Sequence, residues 1–220
     1  MVSHATITQR AVGFSYKMSS QQQIRDICVF CGSSAGVRPV YAAMASQIGR
    51  LLAGRGIQLV YGGGHVGLMG TLADSALAAG GQVTGVMPQS LIDREIGHKG
   101  LTQMHIVKTM HERKALMAEL AGAFIALPGG HGTLDEFCEV LTWAQLGIHA
   151  KPCGILNIEH YYDPLLEMFS RAVDEGFLKA VHRDMVLVDT DPGRLLDRIE
   201  AARPRYVAKW DVITEPAPVP

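Results

Sequence analysis

The sequence lacks a charge excess of either sign. Its 220 residues include 20 Lys and Arg against 21 Asp and Glu, which gives a formal net charge of -1. Binding to a nucleic acid polymer or an anionic membrane through bulk electrostatics requires a clear basic excess. We therefore predict neither as a partner, and any recognition of phosphate must come from backbone amides and a few placed cations.

Long apolar runs are also missing. No stretch approaches the roughly 20 apolar residues of a membrane span, and the first residues contain no apolar run of signal-peptide length. With 48% apolar and 19% charged residues, the composition is that of a packed globular protein. We predict one domain over residues 24–203, a mobile N-terminal tail of residues 1–23 and a peripheral C-terminal tail of residues 204–220.

Cysteine is scarce, and only Cys28 and Cys31 are close together in sequence, as a C-x-x-C. This spacing occurs in redox and metal sites. Both residues belong to the apolar run 27–31, which predicts a buried strand, and residues three apart on a strand point to opposite faces. We therefore predict buried, reduced thiols, a cytoplasmic protein and no metal site, since no His or carboxylate cluster has ligand spacing.

Between the two tails, short apolar runs alternate with helical patterns. This alternation predicts an α/β fold with an open parallel sheet and helices on both faces. The predicted strands are 27–32, 58–61, 82–87, 104–107, 123–127, 153–156 and 185–188, and the predicted helices are 39–53, 67–79, 110–119, 133–146, 161–175 and 192–202. Because ligands of such sheets bind beyond the carboxyl ends of the strands, functional residues are expected where a strand ends and a helix begins.

Three predicted strand ends are followed by glycine-rich turns. The first contains Gly32 and Ser33, the second contains Gly63 within residues 60–70, and the third is the run 128–136. Parallel strands place their carboxyl ends along one edge of a sheet, so the three turns are expected to converge on one ligand.

The third turn, Pro128-Gly129-Gly130-His131-Gly132-Thr133-Leu134-Asp135-Glu136, predicts a phosphate site at the start of a helix. Glycine leaves no Cβ to block a bound group, and the amides of a helix N-terminus point towards an anion. The alternative is purely structural, because Thr133-x-x-Glu136 is also a capping box in which Glu136 accepts from the Thr133 amide.

The second turn contains Gly62-x-Gly64-x-x-Gly67, which matches the dinucleotide-binding fingerprint. It follows the second strand, and the next strand ends at Met87-Pro88 with no acidic residue placed for a ribose. Because the fingerprint requires its structural context, a mononucleotide or a neighbouring strand end is the favoured occupant.

The predicted helix 110–119, which follows the fourth predicted strand, carries a basic pair, Arg113 and Lys114, in its first turn or just beyond. Cations near a helix N-terminus oppose the helix dipole, so the pair indicates a nearby anion. The alternative is a solvated charged face with Glu112 as the local partner. Glu95 and His98 lie in the polar segment 93–100, which is either the rim of a site or a solvated loop.

Taken together, these motifs resemble the LOG (Lonely Guy) family of cytokinin riboside 5'-monophosphate phosphoribohydrolases, which are also labelled lysine decarboxylase-like. The run Pro128-Gly129-Gly130-x-Gly132-Thr133-x-x-Glu136 is similar to the family signature. Further blocks in the family's order are Phe30-Cys31-Gly32-Ser33-Ser34, Tyr61-Gly62-Gly63-Gly64-x-x-Gly67-Leu68-Met69-Gly70, Met110-His111-x-Arg113-Lys114 and Thr142-Trp143-Ala144-Gln145-Leu146-Gly147-Ile148-His149.

The resemblance implies a Rossmann-like fold, a homodimer, no cofactor and Arg113 with Glu136 as the catalytic pair. The implied reaction is hydrolysis of the N-glycosidic bond of a nucleoside 5'-monophosphate, AMP or N6-prenyl-AMP, to free base and ribose 5-phosphate. With the glycine-rich turns, the predicted substrate-binding residues are Glu95, Arg113, Lys114, Gly130, His131, Gly132, Thr133, Leu134, Asp135, Glu136, Thr142, Gly32, Ser33 and Gly63.

Other functions are compatible with parts of the sequence. One alternative is an enzyme of general purine nucleotide turnover that does not activate cytokinins, and another is a protein that binds a nucleotide or cofactor without cleaving it. A carrier needs the glycine-rich turns but not the pair of Arg113 and Glu136, so the pair favours an enzyme. Amino-acid decarboxylation through pyridoxal phosphate is rejected, because no motif for a Schiff-base lysine is present.

Overall fold

The computed structural model describes residues 24–94 and 97–203, and the two predicted tails lie outside the described residues. The described residues form one parallel sheet in the order β4-β3-β2-β1-β5-β6-β7. The strands are β1 (Asp26–Phe30), β2 (Gln58–Tyr61), β3 (Val83–Pro88), β4 (Gln103–Val107), β5 (Ala123–Ala126), β6 (Cys153–Leu156) and β7 (Val186–Asp189). The predicted α/β class and parallel sheet are therefore confirmed.

Helices cover both faces of this sheet, as predicted. They are α1 (Pro39–Gly54), α2 (Gly67–Ala78), α3 (Gln89–Ile92), α4 (Met110–Leu120), α5 (His131–Gln145), α6 (Asp163–Asp174), α7 (Ala180–Arg183) and α8 (Pro192–Ala201), with a 3-10 turn at Ile158–His160. The short helices α3 and α7 were not predicted, because four residues are too few to show a helical period.

The apolar side chains of each strand alternate between two core layers. Ile27 and Val29 of β1 pack with α1, α2 and α8, whereas Cys28 and Phe30 pack with α4, α5 and α6. Cys31 lies in the first layer, so the two thiols of the C-x-x-C face opposite sides of the sheet. Both are buried and free, as predicted.

Two predicted helix starts differ from the structure by two residues. Helix α5 begins at His131 rather than Thr133, because Gly130 is its N-cap and the Leu134 amide donates to the Gly130 carbonyl at 3.1 Å. Helix α6 begins at Asp163 rather than Tyr161, because the 3-10 turn uses the preceding residues.

The chain changes direction across the sheet between β1 and β5. From β1 it proceeds to β2 on one side, and β5 lies on the other side of β1, with Phe30 paired to Ala126. Such a switch point leaves a crevice at the carboxyl ends of the two strands. The first and third glycine-rich turns follow these two strands and meet in this crevice.

Candidate active site

The three glycine-rich turns contact one another at the carboxyl edge of the sheet. The Gly32 amide donates to the Pro128 carbonyl at 3.0 Å, and the Leu68 amide donates to the Gly32 carbonyl at 3.1 Å. Gly67 has φ +61, and a Cβ there would lie 2.3 Å from the carbonyl carbon of Ser33. The turns therefore converge as the parallel topology predicts, and only glycine fits at this contact.

The third turn presents the start of α5 to solvent. Gly130, the N-cap, has extended backbone and no side-chain cap, while His131 and Gly132 are exposed and Thr133 is buried. The amides of the first helical turn have no partner within a helix. Leu134 is the first residue whose amide is used inside α5, so the amides of residues 130–133 remain available to an anion.

The capping-box alternative for this turn is wrong. Thr133 is the third residue of α5, and the Glu136 carboxylate accepts a hydrogen bond from the Arg113 guanidinium instead of the Thr133 amide. A capping arrangement occurs at α4, where Thr109 Oγ1 accepts from the Glu112 amide at 3.1 Å.

Arg113 and Glu136 form a buried ion pair between α4 and α5. The distance from Arg113 Nη1 to Glu136 Oε1 is 2.5 Å, and the two residues are only 8% and 9% exposed. Arg113 Nε also donates to the Val86 carbonyl at 3.0 Å, which fixes the guanidinium against the end of β3. The pair lies beside the segments that follow strands β3, β2 and β5.

The second turn accommodates this arginine. A Cβ on Gly62 would lie 1.9 Å from Arg113 Nη2, so a side chain there would displace the guanidinium. Sequence reasoning found the glycines of this turn but missed that Gly62 makes room for Arg113. Gly63, which was predicted to bind substrate, has φ +79, and its carbonyl accepts from the His98 amide at 2.9 Å.

The local electrostatics distinguish Glu136 from an ordinary surface carboxylate. Burial raises the pKa of Glu136, and the adjacent Arg113 guanidinium opposes that shift without cancelling it. The pKa therefore lies above the ordinary value of 4.5. Carboxylates with perturbed pKa values are typical of catalytic sites, and this one lies beside a helix N-terminus with free amides.

Lys114 forms a second, more exposed contact with α5. Its Nζ lies 3.1 Å from Asp135 Oδ2 and 3.2 Å from Glu139 Oε2. Partial burial lowers the pKa of Lys114, but the hydrogen bonds to the two carboxylates outweigh this and raise it overall. Glu112 instead accepts from the Lys108 amide, so the alternative in which Glu112 is the local partner of the basic pair is wrong.

The remaining predicted residues lie at different places. Gly32 is buried under the crevice and Ser33 is exposed beside it. Thr142 follows Glu136 by six residues in α5, which places it about 9 Å further along the helix and about 240° around it. It lines a separate cavity of about 140 Å³ with Phe169 and His182.

Glu95 lies outside the described residues, but the chain next to it is anchored. Gly97 pairs with Gly64 in an antiparallel bridge. His98 Nδ1 accepts from the Gly100 amide at 3.0 Å, so Nε2 bears the proton and donates to Asp74 Oδ1 at 2.9 Å. Residues 97–100 therefore border the second glycine-rich turn, as expected for a rim.

Neither a metal centre nor a membrane-spanning helix is found in the part of the chain that the structure describes. Within residues 24–94 and 97–203, no group of three or more His, Cys, Asp or Glu side chains is placed to hold a metal ion. No described helix combines the length and the apolar character needed to cross a bilayer.

The fold and the site together define a Rossmann-like α/β protein with an open helix N-terminus beside a buried arginine–glutamate pair. Residues 69–199 match the family model described as "Possible lysine decarboxylase". A probable cytokinin riboside 5'-monophosphate phosphoribohydrolase of Oryza sativa subsp. japonica is 46% identical over 200 residues, which cover 89% of this chain and 82% of that protein. The chain belongs to this LOG family.

A second relative supports this assignment, and the solved structures share the fold. A cytokinin riboside 5'-monophosphate phosphoribohydrolase of Arabidopsis thaliana is 46% identical over 187 residues, covering 85% of this chain and 86% of that protein. The molybdenum cofactor binding protein from Rippkaea orientalis has a TM-score of 0.63 at 22% identity, covering 83% of this chain and 98% of that one. That structural likeness concerns the fold alone.

Proposed function

We propose that this protein hydrolyses the N-glycosidic bond of a nucleoside 5'-monophosphate, releasing free base and ribose 5-phosphate. The observation that carries the proposal is the buried pair of Arg113 and Glu136 next to the open N-terminus of α5. An anion site and a buried carboxylate at one sheet edge suit a substrate with a phosphate at one end and a reacting sugar carbon nearby. The names of the relatives at 46% identity support the same reaction.

The phosphate would bind to the amides of residues 130–133. His131 would contribute its amide and not its exposed ring. Leu134 and Asp135 would border the phosphate without donating their amides to it, because the Leu134 amide already donates to Gly130. Binding energy from the non-reacting phosphate would then position the sugar, which predicts a preference for monophosphates over free nucleosides.

Glu136 would act at the bond that breaks. Departure of the base leaves positive charge on the ribosyl carbon, which a carboxylate below the ring stabilises, as in glycoside hydrolysis. Water then bonds to that carbon, the electron pair of the broken bond leaves with the base, and the proton lost by water finally reaches the base. Arg113, bonded to both Glu136 and the Val86 carbonyl, would hold the carboxylate in this orientation.

The outer residues would have supporting roles. Lys114 would add positive potential near the phosphate, although Asp135 and Glu139 share its charge. Glu95 would hold the base or the ribose hydroxyls. Thr142 faces a different side of α5 from Glu136. If Thr142 contacts substrate, that substrate would have to be bound in the site of another subunit.

The direct test is to incubate the protein with AMP, adenosine and N6-isopentenyl-AMP and to follow free base by chromatography. We expect base from at least one monophosphate and much less from adenosine. Release of no base from either monophosphate would contradict the proposal. The ratio of turnover on the prenylated nucleotide to that on AMP separates cytokinin activation from general purine nucleotide turnover.

A carrier function is the second candidate. The solved structures of similar fold include the molybdenum cofactor carrier protein from Chlamydomonas reinhardtii, with a TM-score of 0.59 at 22% identity. A carrier would bind a nucleotide without releasing base, whereas the hydrolase consumes it. The perturbed carboxylate of Glu136 favours the hydrolase, because binding an anion does not require a buried negative charge nearby.

We also propose a cytoplasmic homodimer. Ile148 is 66% exposed and Leu146 is 42% exposed, both just after α5, which supports an apolar contact between copies. The buried free thiols support a reducing compartment. Sedimentation of the purified protein at the mass of a monomer would contradict the dimer.

A further inference from the structure

The segment between β6 and α6 has an unusual backbone. Glu159 and His160 have φ of 52° and 61°, and they are the residues other than glycine with positive φ among those described. The left-handed conformation is unfavourable for such residues, so surrounding contacts must hold it. Asn157 provides two of them, since its Nδ2 donates to Asp163 Oδ1 at 2.6 Å and its Oδ1 accepts from the Tyr162 amide at 2.8 Å. The side chains of Glu159 and His160 also form ion pairs.

This bend directs two tyrosine hydroxyl groups to the third glycine-rich turn. Tyr161 donates to the Gly129 carbonyl at 2.6 Å, and Tyr162 donates to the Leu127 carbonyl at 2.6 Å. The carbonyl between them, that of Pro128, accepts from the Gly32 amide at 3.0 Å. Three successive carbonyls of the turn are thus fixed by three different donors.

Fixing a carbonyl also fixes the amide of the same peptide group. A trans peptide is planar, with its C=O and N–H pointing in opposite directions, and the described residues contain no cis peptide. The bond from Tyr161 to the Gly129 carbonyl therefore directs the Gly130 N–H away from Tyr161. Because glycine lies on both sides of this peptide, little else restrains its rotation.

The bond from Tyr162 has no such consequence. The Leu127 carbonyl shares its peptide with Pro128, which has no N–H. Tyr162 is also only 2% exposed, so its hydroxyl satisfies a buried acceptor. Tyr161 is 41% exposed, and its hydroxyl could bond to water if the Gly129 carbonyl were not there. The Tyr162 hydroxyl therefore satisfies a buried carbonyl, whereas the Tyr161 hydroxyl orients a peptide group that carries an N–H.

We propose that Tyr161 is a positioning residue that sets the direction of the Gly130 amide for binding a phosphate group. This inference deepens the proposed function and rests on it, because it assigns the phosphate to the start of α5. The Tyr41 ring packs against the Tyr161 ring in a T-shaped contact, with centroids 6.0 Å apart. Removal of the Tyr161 hydroxyl should leave the ring in place and release only the peptide.

The test is Tyr161→Phe in the full chain. We expect the KM for AMP and the inhibition constant of ribose 5-phosphate to rise together by about three- to tenfold, the loss of one hydrogen bond. The kcat should stay within about twofold, and inhibition by adenosine, which has no phosphate, should not change. A purely structural role would instead weaken all three ligands or lower kcat.

Tyr162→Phe and Tyr41→Phe are the matched controls. Tyr162→Phe should lower the melting temperature, while the ratio of the KM for AMP to the inhibition constant of adenosine stays as in the wild type. Tyr41→Phe removes a hydroxyl that does not touch the turn, and it should leave that ratio unchanged as well. An unchanged KM for AMP in Tyr161→Phe, or an equal loss for adenosine, would overturn the proposal.

Binding measurements separate this inference from the proposed function. If the wild-type protein binds AMP by calorimetry but releases no base from AMP or from N6-isopentenyl-AMP, hydrolysis is refuted while the positioning role is still tested. In that case Tyr161→Phe should bind AMP about three- to tenfold more weakly and adenosine equally well. Equal affinity for AMP in both proteins, or no binding of AMP to the wild type, overturns the positioning role too.

Discussion

Two neighbouring cations of α4 form ion pairs with two neighbouring carboxylates of α5. Arg113 with Glu136 is buried, with side-chain exposures of 10% and 11%. Lys114 with Asp135 lies at the surface, where the Asp135 side chain is 63% exposed. Both pairs join a cation to a carboxylate, but the carboxylate of Glu136 is buried whereas that of Asp135 is exposed to water.

The difference shows how burial turns a common interaction into a specialised one. An exposed ion pair contributes little to stability because water screens it. A buried pair pays a large desolvation cost and is weak evidence for stability, so its retention here indicates a function. The buried pair is the one with a carboxylate whose pKa is raised, and it is the one next to the open helix start.

The largest effect is expected from Glu136→Gln. Loss of the carboxylate should lower kcat by about 10²- to 10³-fold or more, because the developing charge on the sugar loses its partner. The glutamine oxygen still accepts from Arg113, so the free energy of unfolding should fall by only about 1–3 kcal/mol relative to the wild type. Steady-state kinetics and urea unfolding measure the two effects. A variant that loses stability but keeps its kcat would assign Glu136 a structural role.

Gly62→Ala is expected to act on the same pair from the opposite side. The new Cβ would lie 1.9 Å from Arg113 Nη2, so the guanidinium must move and take Glu136 with it. We expect about a 10²-fold loss of kcat/KM, since small misplacements of catalytic groups have such effects, and about 1–3 kcal/mol lower stability.

The matched control for this change is Gly54→Ala at the end of α1. A Cβ on Gly54 would have no atom within 4 Å. Its activity should equal that of the wild type. Wild-type activity in Gly62→Ala would mean that the position of Arg113 does not matter for the reaction.

The pH dependence should report the burial of Glu136. Burial raises its pKa above 4.5, so the carboxylate becomes protonated at a higher pH than usual, and kcat/KM should fall about tenfold per pH unit below that raised pKa. The folded state then binds this proton more tightly than the unfolded state. The contribution of Glu136 to stability therefore declines as the pH rises from 4.5 through the raised pKa.

This fall of kcat/KM at acid pH is measured by a pH profile between the acid limit of folding and neutrality. The residual activity of Glu136→Gln should show no such fall. A midpoint at or below 4.5 would mean that Arg113 outweighs burial.

The smallest effect is expected from Asp135→Asn. This substitution removes the same charge one residue earlier in α5, but from an exposed side chain, so stability should change by less than about 0.5 kcal/mol. The kcat should stay close to that of the wild type, and KM should change by no more than about twofold. A loss as large as that of Glu136→Gln would show that the surface pair is as important as the buried one.

The fold was largely predictable because its signals are local. The bounds of β2 and β6 agree with the predicted runs 58–61 and 153–156, since buried parallel strands consist of short apolar runs bounded by polar or glycine residues. The start of α5 was missed by two residues because Thr133-x-x-Glu136 has the spacing of a capping box. Only the tertiary contact with Arg113 shows that Glu136 is used elsewhere.

The bend at Glu159 and His160 was not predicted from the sequence. Positive φ is uncommon for residues other than glycine, and the enrichment of His in this conformation is too weak to locate a bend at one position. The hydrogen bond from Arg38 to Glu159 joins residues 121 positions apart and forms only in the folded chain. The contact between Tyr161 and the third glycine-rich turn could therefore not be predicted.

The sequence by itself determined the kind of sheet, the edge at which a ligand is expected and the glycine-rich turns along that edge. These properties follow from apolar runs and from the absence of a Cβ, which are local. The tertiary structure alone decided which of the two neighbouring ion pairs is buried. Burial depends on how α4 and α5 pack against β3 and on the space that Gly62 leaves for Arg113, and these are contacts between residues far apart in the chain.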